Sequence, residues 1–205
     1  RFLGLLTALE EIALIDVSPL RDFTEQAASL SNAALQAWMK EHPHPMLDDV
    51  MRWSKRSDEL FDEYTQGLLP FDNVKQCLSE MAEKADIMVV SSASGKGLDK
   101  DWSFSGLTEY TVMVAGQETG SKEAQLKMGA AGKYPPQKIL MIGDAPGDLE
   151  AARSIKALFF PVMPGSEKES WLHLRENALT HFFSGTYKGN YEDTLIKKFL
   201  ELLGN

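Results

Sequence analysis

The chain has 205 residues, 43% of them hydrophobic, and a formal net charge of -9. That length and apolar content suit one domain, or one core domain with a small appended one, and suffice for a buried core. The acidic balance argues against a nucleic-acid backbone or an anionic membrane as partner, but a bound cation still lets an anionic small substrate in. Cys77 is the single cysteine, so no intrachain disulfide forms, which suits a reducing, cytoplasmic compartment. No apolar run approaches the ~20 residues that span a bilayer.

The chain starts at Arg1, inside the helix-like stretch RFLGLLTALEE, which suggests a longer gene product or a removed tag. Phe2, Leu5, Leu6 and Leu9 recur at helical spacing across residues 1–11. IALIDV, residues 12–17, reads as a strand that Ser18-Pro19 ends. From about Leu20 to Gly67 the pattern is helical, with apolar residues at three- and four-residue steps and a break at EHPHP, residues 41–45. After Pro70 strands and helices alternate. Helices are expected at 73–84, 122–129 and 147–155, and strands at 86–90, 110–115, 138–142 and 157–162. Residues 96–106 read as a short polar segment. The tail from 167 is mostly helical, interrupted at 183–189. Strands that are apolar throughout, rather than at every second position, predict parallel βαβ units in a Rossmann-like three-layer α/β domain.

The chemistry concentrates at strand ends. In ILMIGDAPGD, residues 139–148, Asp144 stands at the carboxyl end of a buried strand and Asp148 follows four residues later. Ligands bind open α/β sheets at that end. Two aspartates around a Pro-Gly turn exceed what one helix cap requires and suit a magnesium site, since that cation takes one or two carboxylates, waters and a substrate phosphate. Ser91 ends the strand DIMVV, where a hydroxyl and backbone N–H groups suit an anionic oxygen or an ordinary turn equally. No G-x-S-x-G elbow surrounds it, so a nucleophilic role is not expected. Ser92 and Ser94 are weaker versions of the same case. Lys122, at the start of a helix, is either a surface lysine or a group that neutralises phosphate, and Lys127 fits a solvated face.

Ser91, Lys122 and the Asp144/Asp148 pair, in this order, resemble the second, third and fourth motifs of the haloacid-dehalogenase-like hydrolase superfamily, most of whose members are phosphatases. The resemblance covers about residues 70–165. It implies a cap inserted after the first strand, which residues 20–69 would form as an all-helical domain over a core of residues 1–19 and 70–205. It also implies a first motif DxD whose first aspartate attacks phosphorus and whose second is the acid/base. The candidate is Asp16, and its second position is Ser18. Two explanations stay open: a DxD strand lies upstream of this chain, or Asp16 is the nucleophile and Ser18 replaces the acid/base.

The function expected is magnesium-dependent hydrolysis of a small phosphorylated metabolite through an aspartyl-phosphate intermediate. Asp16, Ser91 and Lys122 would be its catalytic residues, and Asp144 and Asp148 its Mg2+ ligands. The rival is a degenerate relative that only binds. A dehalogenase ranks below both, since its chemistry needs no magnesium. His42 and His44 lack a further ligand cluster and read as an inter-helix loop. Arg52, Lys55 and Arg56 read as a solvated helix face or a basic patch. Trp171, His173 and Arg175 are assigned no chemistry, and GTYKGNYED, residues 185–193, reads as a tyrosine-bearing structural turn.

Overall fold

The computed structural model describes residues 10–11, 16–27, 30–65, 67 and 69–204. The chain divides into two compact units, residues 1–66 and 67–205. Among the described residues no helix is long and apolar enough to cross a membrane.

The described part of the first unit is helical, with α1 (Ser18–Gln26), α2 (Asn32–Glu41) and α3 (Pro45–Thr65). Proline suits the first turn of a helix, and Pro19 stands there in α1. The Ser31 hydroxyl caps α2 by accepting the Ala34 N–H at 3.2 Å. Leu20 and Phe23 of α1, Leu35 of α2, and Leu47, Val50 and Met51 of α3 recur at helical steps and form one core with Val17. The helix expected at 1–11 and the strand at 12–17 fall largely outside the described residues. Asp16 and Val17 are in neither helix nor strand, and α1 begins at Ser18. Val17, expected with the α/β core, is fully buried in the helical one.

The second unit holds α4 (Val74–Ala82), β1 (Met88–Val90), α5 (Gly95–Phe104), β2 (Met113–Ala115), α6 (Lys122–Gly129), β3 (Leu140–Gly143), α7 (Pro146–Ser154), β4 (Leu158–Pro161), α8 (Glu167–His173), a π-helical turn (Leu174–Ala178), α9 (Leu179–Ser184) and α10 (Asn190–Leu202). β1 pairs with β2 and β3 with β4, both parallel, with Val89 opposite Val114 and Met141 opposite Phe159. Each pair is linked through a helix, the βαβ unit that parallel pairing requires. Among the described residues no ladder joins the two pairs.

Alternation in β4 explains the layers. Leu158 and Phe160 enter a core with Val74, Leu78, Leu174 and Tyr187, while Phe159 enters another with Met141, Leu149 and Phe199. Opposite faces of a strand bury against different helices, which makes the unit a Rossmann-like α/β fold. The outer edge of β4 is closed by side chains. The Tyr187 hydroxyl donates to the Phe159 carbonyl at 2.9 Å, and the Glu192 carboxylate accepts the Phe159 N–H at 2.8 Å. Residues 185–189 of GTYKGNYED therefore form a structural turn, entered and left through Gly185 and Gly189 at φ 78° and 98°, while residues 190–193 open α10.

Two elements differ from expectation. Residues 95–104 form a helix, capped by the Ser94 hydroxyl on the Gly97 N–H at 3.2 Å, although none of its residues is buried. The tail helix widens into a π turn, which presents Arg175 to Glu80 at 3.0 Å and to the Asn73 side chain at 3.3 Å.

Candidate active site

The carboxyl ends of β1, β2 and β3 carry the groups picked out in the sequence. β3 ends at Gly143, followed by Asp144, and α7 begins at Pro146. Asp148, in the first turn of α7, folds back over Gly143. Its Oδ2 accepts the N–H groups of Asp144 and Ala145, both at 3.1 Å. A carboxylate there satisfies donors that a helix start leaves open. Its Oδ1 lies 2.5 Å from Lys122 Nζ, at the start of α6. The Asp148 side chain is 2% exposed, and Lys122 keeps 26% of its side chain in solvent. The pair is thus mostly desolvated, and each charge compensates the other.

Gly143 is required by this arrangement. A Cβ there would stand 2.4 Å from Asp148 Cβ and 2.5 Å from its Cγ. Asp144 is exposed, and among the described residues no group holds its carboxylate. It is the residue here that could hold a cation, completing its shell with waters and a substrate oxygen. Among the described residues no three His, Cys, Asp or Glu converge as a metal cluster.

Ser91 leaves β1 half-buried. Its Oγ accepts the Ala93 N–H at 3.1 Å, so its own hydroxyl proton is free to be donated. The turn after β1 is pinned to the loop after β2. Gln117 N–H donates to the Ala93 carbonyl at 2.8 Å, and Gly95 N–H to Glu118 Oε2 at 2.9 Å. Gly116 allows that approach, because a Cβ on it would lie 2.4 Å from Gly95 N.

The residue that sequence reasoning missed is Gln125. It is fully buried and bonded to Ser91 through both the N–H and the carbonyl of that residue. A signal was present: Lys122, Gln125, Leu126 and Gly129 share one helical face, the one that carries the apolar Leu126 inward. Lys122 and Asp148 are therefore in direct contact, Asp144 is joined to them through its backbone, and Ser91 is tied to the Lys122 helix.

Asp16 lies in the helical unit. It is exposed, and its Oδ1 accepts the Ser18 N–H at 2.9 Å and the Ser18 hydroxyl at 2.7 Å. The hydroxyl bond first, then the backbone one, lowers its pKa from the usual 3.8, so it is ionised at neutral pH.

The other candidates resolve into structure. Ser94 is the cap of α5, and Lys127 pairs with Glu123 on the surface at 2.6 Å. His42 stacks on Trp38 with centroids 4.1 Å apart, and His44 Nδ1 accepts the Met46 N–H at 3.2 Å. Arg52 and Arg56 pair with Asp49 and Glu59 along their own helix. Trp171 packs on the core around Leu174. Burial pushes the Cys77 thiol up to about 12, which leaves it unreactive.

A family model described as haloacid dehalogenase-like hydrolase matches residues 14–162, well over half of the chain. The chain belongs to this family. The matched span takes in Asp16, Ser91, Lys122, Asp144 and Asp148. No curated protein matches the sequence. Haloacid dehalogenase-like hydrolases commonly use magnesium, and hydrolase chemistry of that general kind fits the strand-end groups of this member.

Proposed function

We propose that this haloacid dehalogenase-like protein hydrolyses a small soluble phosphate monoester with Mg2+. The observation that carries the reading is the Lys122–Asp148 pair set beside the open carboxylate of Asp144 at the end of β3. Asp144 is the proposed metal ligand. Asp148, whose oxygens already serve a lysine and two N–H groups, holds Lys122 in place instead of binding the cation directly. Magnesium, when bound, supplies Lewis-acid stabilisation of the phosphoryl oxygens. The Ser91 hydroxyl donates to one of those oxygens and the Lys122 ammonium offsets the charge of another.

We assign the first-motif role to Asp16, a reading supported by a family match that begins at residue 14. A carboxylate oxygen of Asp16 forms the new bond to phosphorus as the ester P–O bond breaks. The leaving alkoxide takes its proton from solvent water, and a water molecule then attacks the acyl phosphate to release phosphate and regenerate Asp16. Ser18 stands where this family has an acid/base aspartate, and a serine hydroxyl transfers protons poorly at neutral pH. Phosphoryl acceptance is therefore retained, and turnover is slow. That same residue favours the second reading, a degenerate relative that binds a phosphorylated ligand without turning it over.

Magnesium-dependent hydrolysis of an aryl phosphate tests both readings. Activity is expected to be weak in the native chain and lost in Asp16→Asn and Asp144→Asn. It should rise about 100-fold or more in Ser18→Asp, the range general acid–base catalysis provides. Magnesium-dependent binding of inorganic phosphate, with no turnover in Ser18→Asp, selects the binding module. If Asp144→Asn leaves magnesium affinity unchanged, the metal assignment fails.

A further inference from the structure

We propose that Gln125 is a positioning residue that holds Ser91 and Lys122 in one frame, an inference that rests on the phosphate-site reading of those two residues. Gln125 is fully buried, and its amide makes four hydrogen bonds. Its Oε1 accepts the Ser91 N–H at 3.0 Å. The two hydrogens of its Nε2 are shared among the carbonyls of Ser91 at 3.0 Å, Gly116 at 2.8 Å and Gly120 at 3.0 Å. The side chain thus engages both backbone groups of Ser91, whose N–H it shares with the Ala115 carbonyl of β2 at 3.0 Å, and ties in the loop after β2.

Gln125 stands one turn after Lys122 on α6. The other end of that helix is seated against β1, because a Cβ on Gly129 would lie 2.0 Å from the Met88 sulfur. A slide or rotation of α6 relative to Ser91 therefore breaks bonds to a buried amide and opens a close contact. Lys122 Nζ is in turn fixed by Asp148. Two groups that must meet oxygens of one phosphoryl group gain most from such a lock, since a misplacement of 1 Å costs about 100-fold.

The test is a double-mutant cycle on the full chain, read by calorimetric titration of inorganic phosphate with Mg2+ present. Gln125→Met keeps the volume and removes all four bonds. It is expected to weaken phosphate about 10-fold in the native background and less than about 2-fold in Ser91→Ala, because residues acting through one another are not additive. Where Gln125→Met does not fold, Gln125→Asn, with the amide one methylene short, carries the same comparison. A lower melting temperature with unchanged phosphate affinity overturns the inference, as does an equal loss in both backgrounds. Absence of phosphate binding by the native chain is a different result, and it overturns the phosphate-site reading together with this inference.

Discussion

The two units bury different kinds of groups. In the helical unit the described core is apolar throughout, from Val17 to Met51. In the α/β unit Gln125, Asp148 and Ser170 are buried as well. A buried polar group destabilises the fold unless its hydrogen bonds are made, and all three are satisfied. Shape and period thus specify the helical unit, and those tolerate exchange among apolar side chains. The strand ends of the α/β unit are specified by donor and acceptor geometry, which does not. The aspartates show the same contrast. Asp16 faces solvent and is held by its near neighbour Ser18, whereas Asp148 is enclosed and held by a distant lysine.

The largest effect is expected where the polar geometry is broken. Asp148→Ala removes the acceptor of Lys122 and of two N–H groups, and should cost about 3–5 kcal/mol, as breaking a buried pair does. Asp148→Asn should also destabilise, despite its matching shape, because Lys122 loses its counter-charge. Urea unfolding measures both, and a loss below about 1 kcal/mol for either would remove the distinction between the units. Leu47→Ala in the helical unit should come next, at about 2–3 kcal/mol, the lower part of the range for a buried leucine because a small core relaxes. Leu47→Met, which conserves volume, should cost less than about 1.5 kcal/mol. If Leu47→Met costs as much as Asp148→Asn, the helical core is as exacting as the strand ends.

Gly143→Ala ranks third. The added methyl meets Asp148 Cβ and Cγ at 2.4 and 2.5 Å, and the Asp148 carboxylate cannot retreat without leaving Lys122 and both N–H groups. Overpacking of this kind costs about 1–3 kcal/mol. Thermal melting reads the loss, and magnesium-dependent phosphate binding should fall with it. Unchanged binding would show that the Gly143–Asp148 contact serves the fold and not the site.

Much of the site was legible because chemistry at a strand end leaves a mark: an apolar run, then Gly-Asp, then a second Asp at helical distance. Residues 122–129 were readable as α6 to the residue. What was not legible had no such mark. α5 buries none of its residues, so it shows no apolar stripe, and two glycines stand in its first turn. The π turn at 174–178 differs from an α-helix by hydrogen-bond pattern alone. Gln125 shares the inward face of Leu126, a faint signal, but only the loops that surround it make it a buried clasp. The place of Val17 in the helical core was hidden because IALIDV has the composition of a strand.

The smallest effect is expected at Asp16, and it separates the two aspartates by titration. The Ser18 hydroxyl and N–H stabilise the charged carboxylate, so the folded pKa lies below the ordinary 3.8. A depressed carboxylate contributes stability that is complete above the unfolded value and lost as the pH falls through the folded one. The contribution is therefore present at neutral pH and disappears only in acid below 3.8. Ser18→Ala removes the larger cause and keeps the backbone bond. The Asp16 midpoint, followed by carboxyl NMR, should rise toward 3.8 without passing it. Melting near pH 7 should change little, because an exposed interaction is screened by water. An unmoved midpoint would mean that the hydroxyl does not hold this carboxylate. Asp16 would then be set by its backbone bond and the smaller influence of His44, and the Ser18 hydroxyl would be left without a role in orienting the proposed nucleophile.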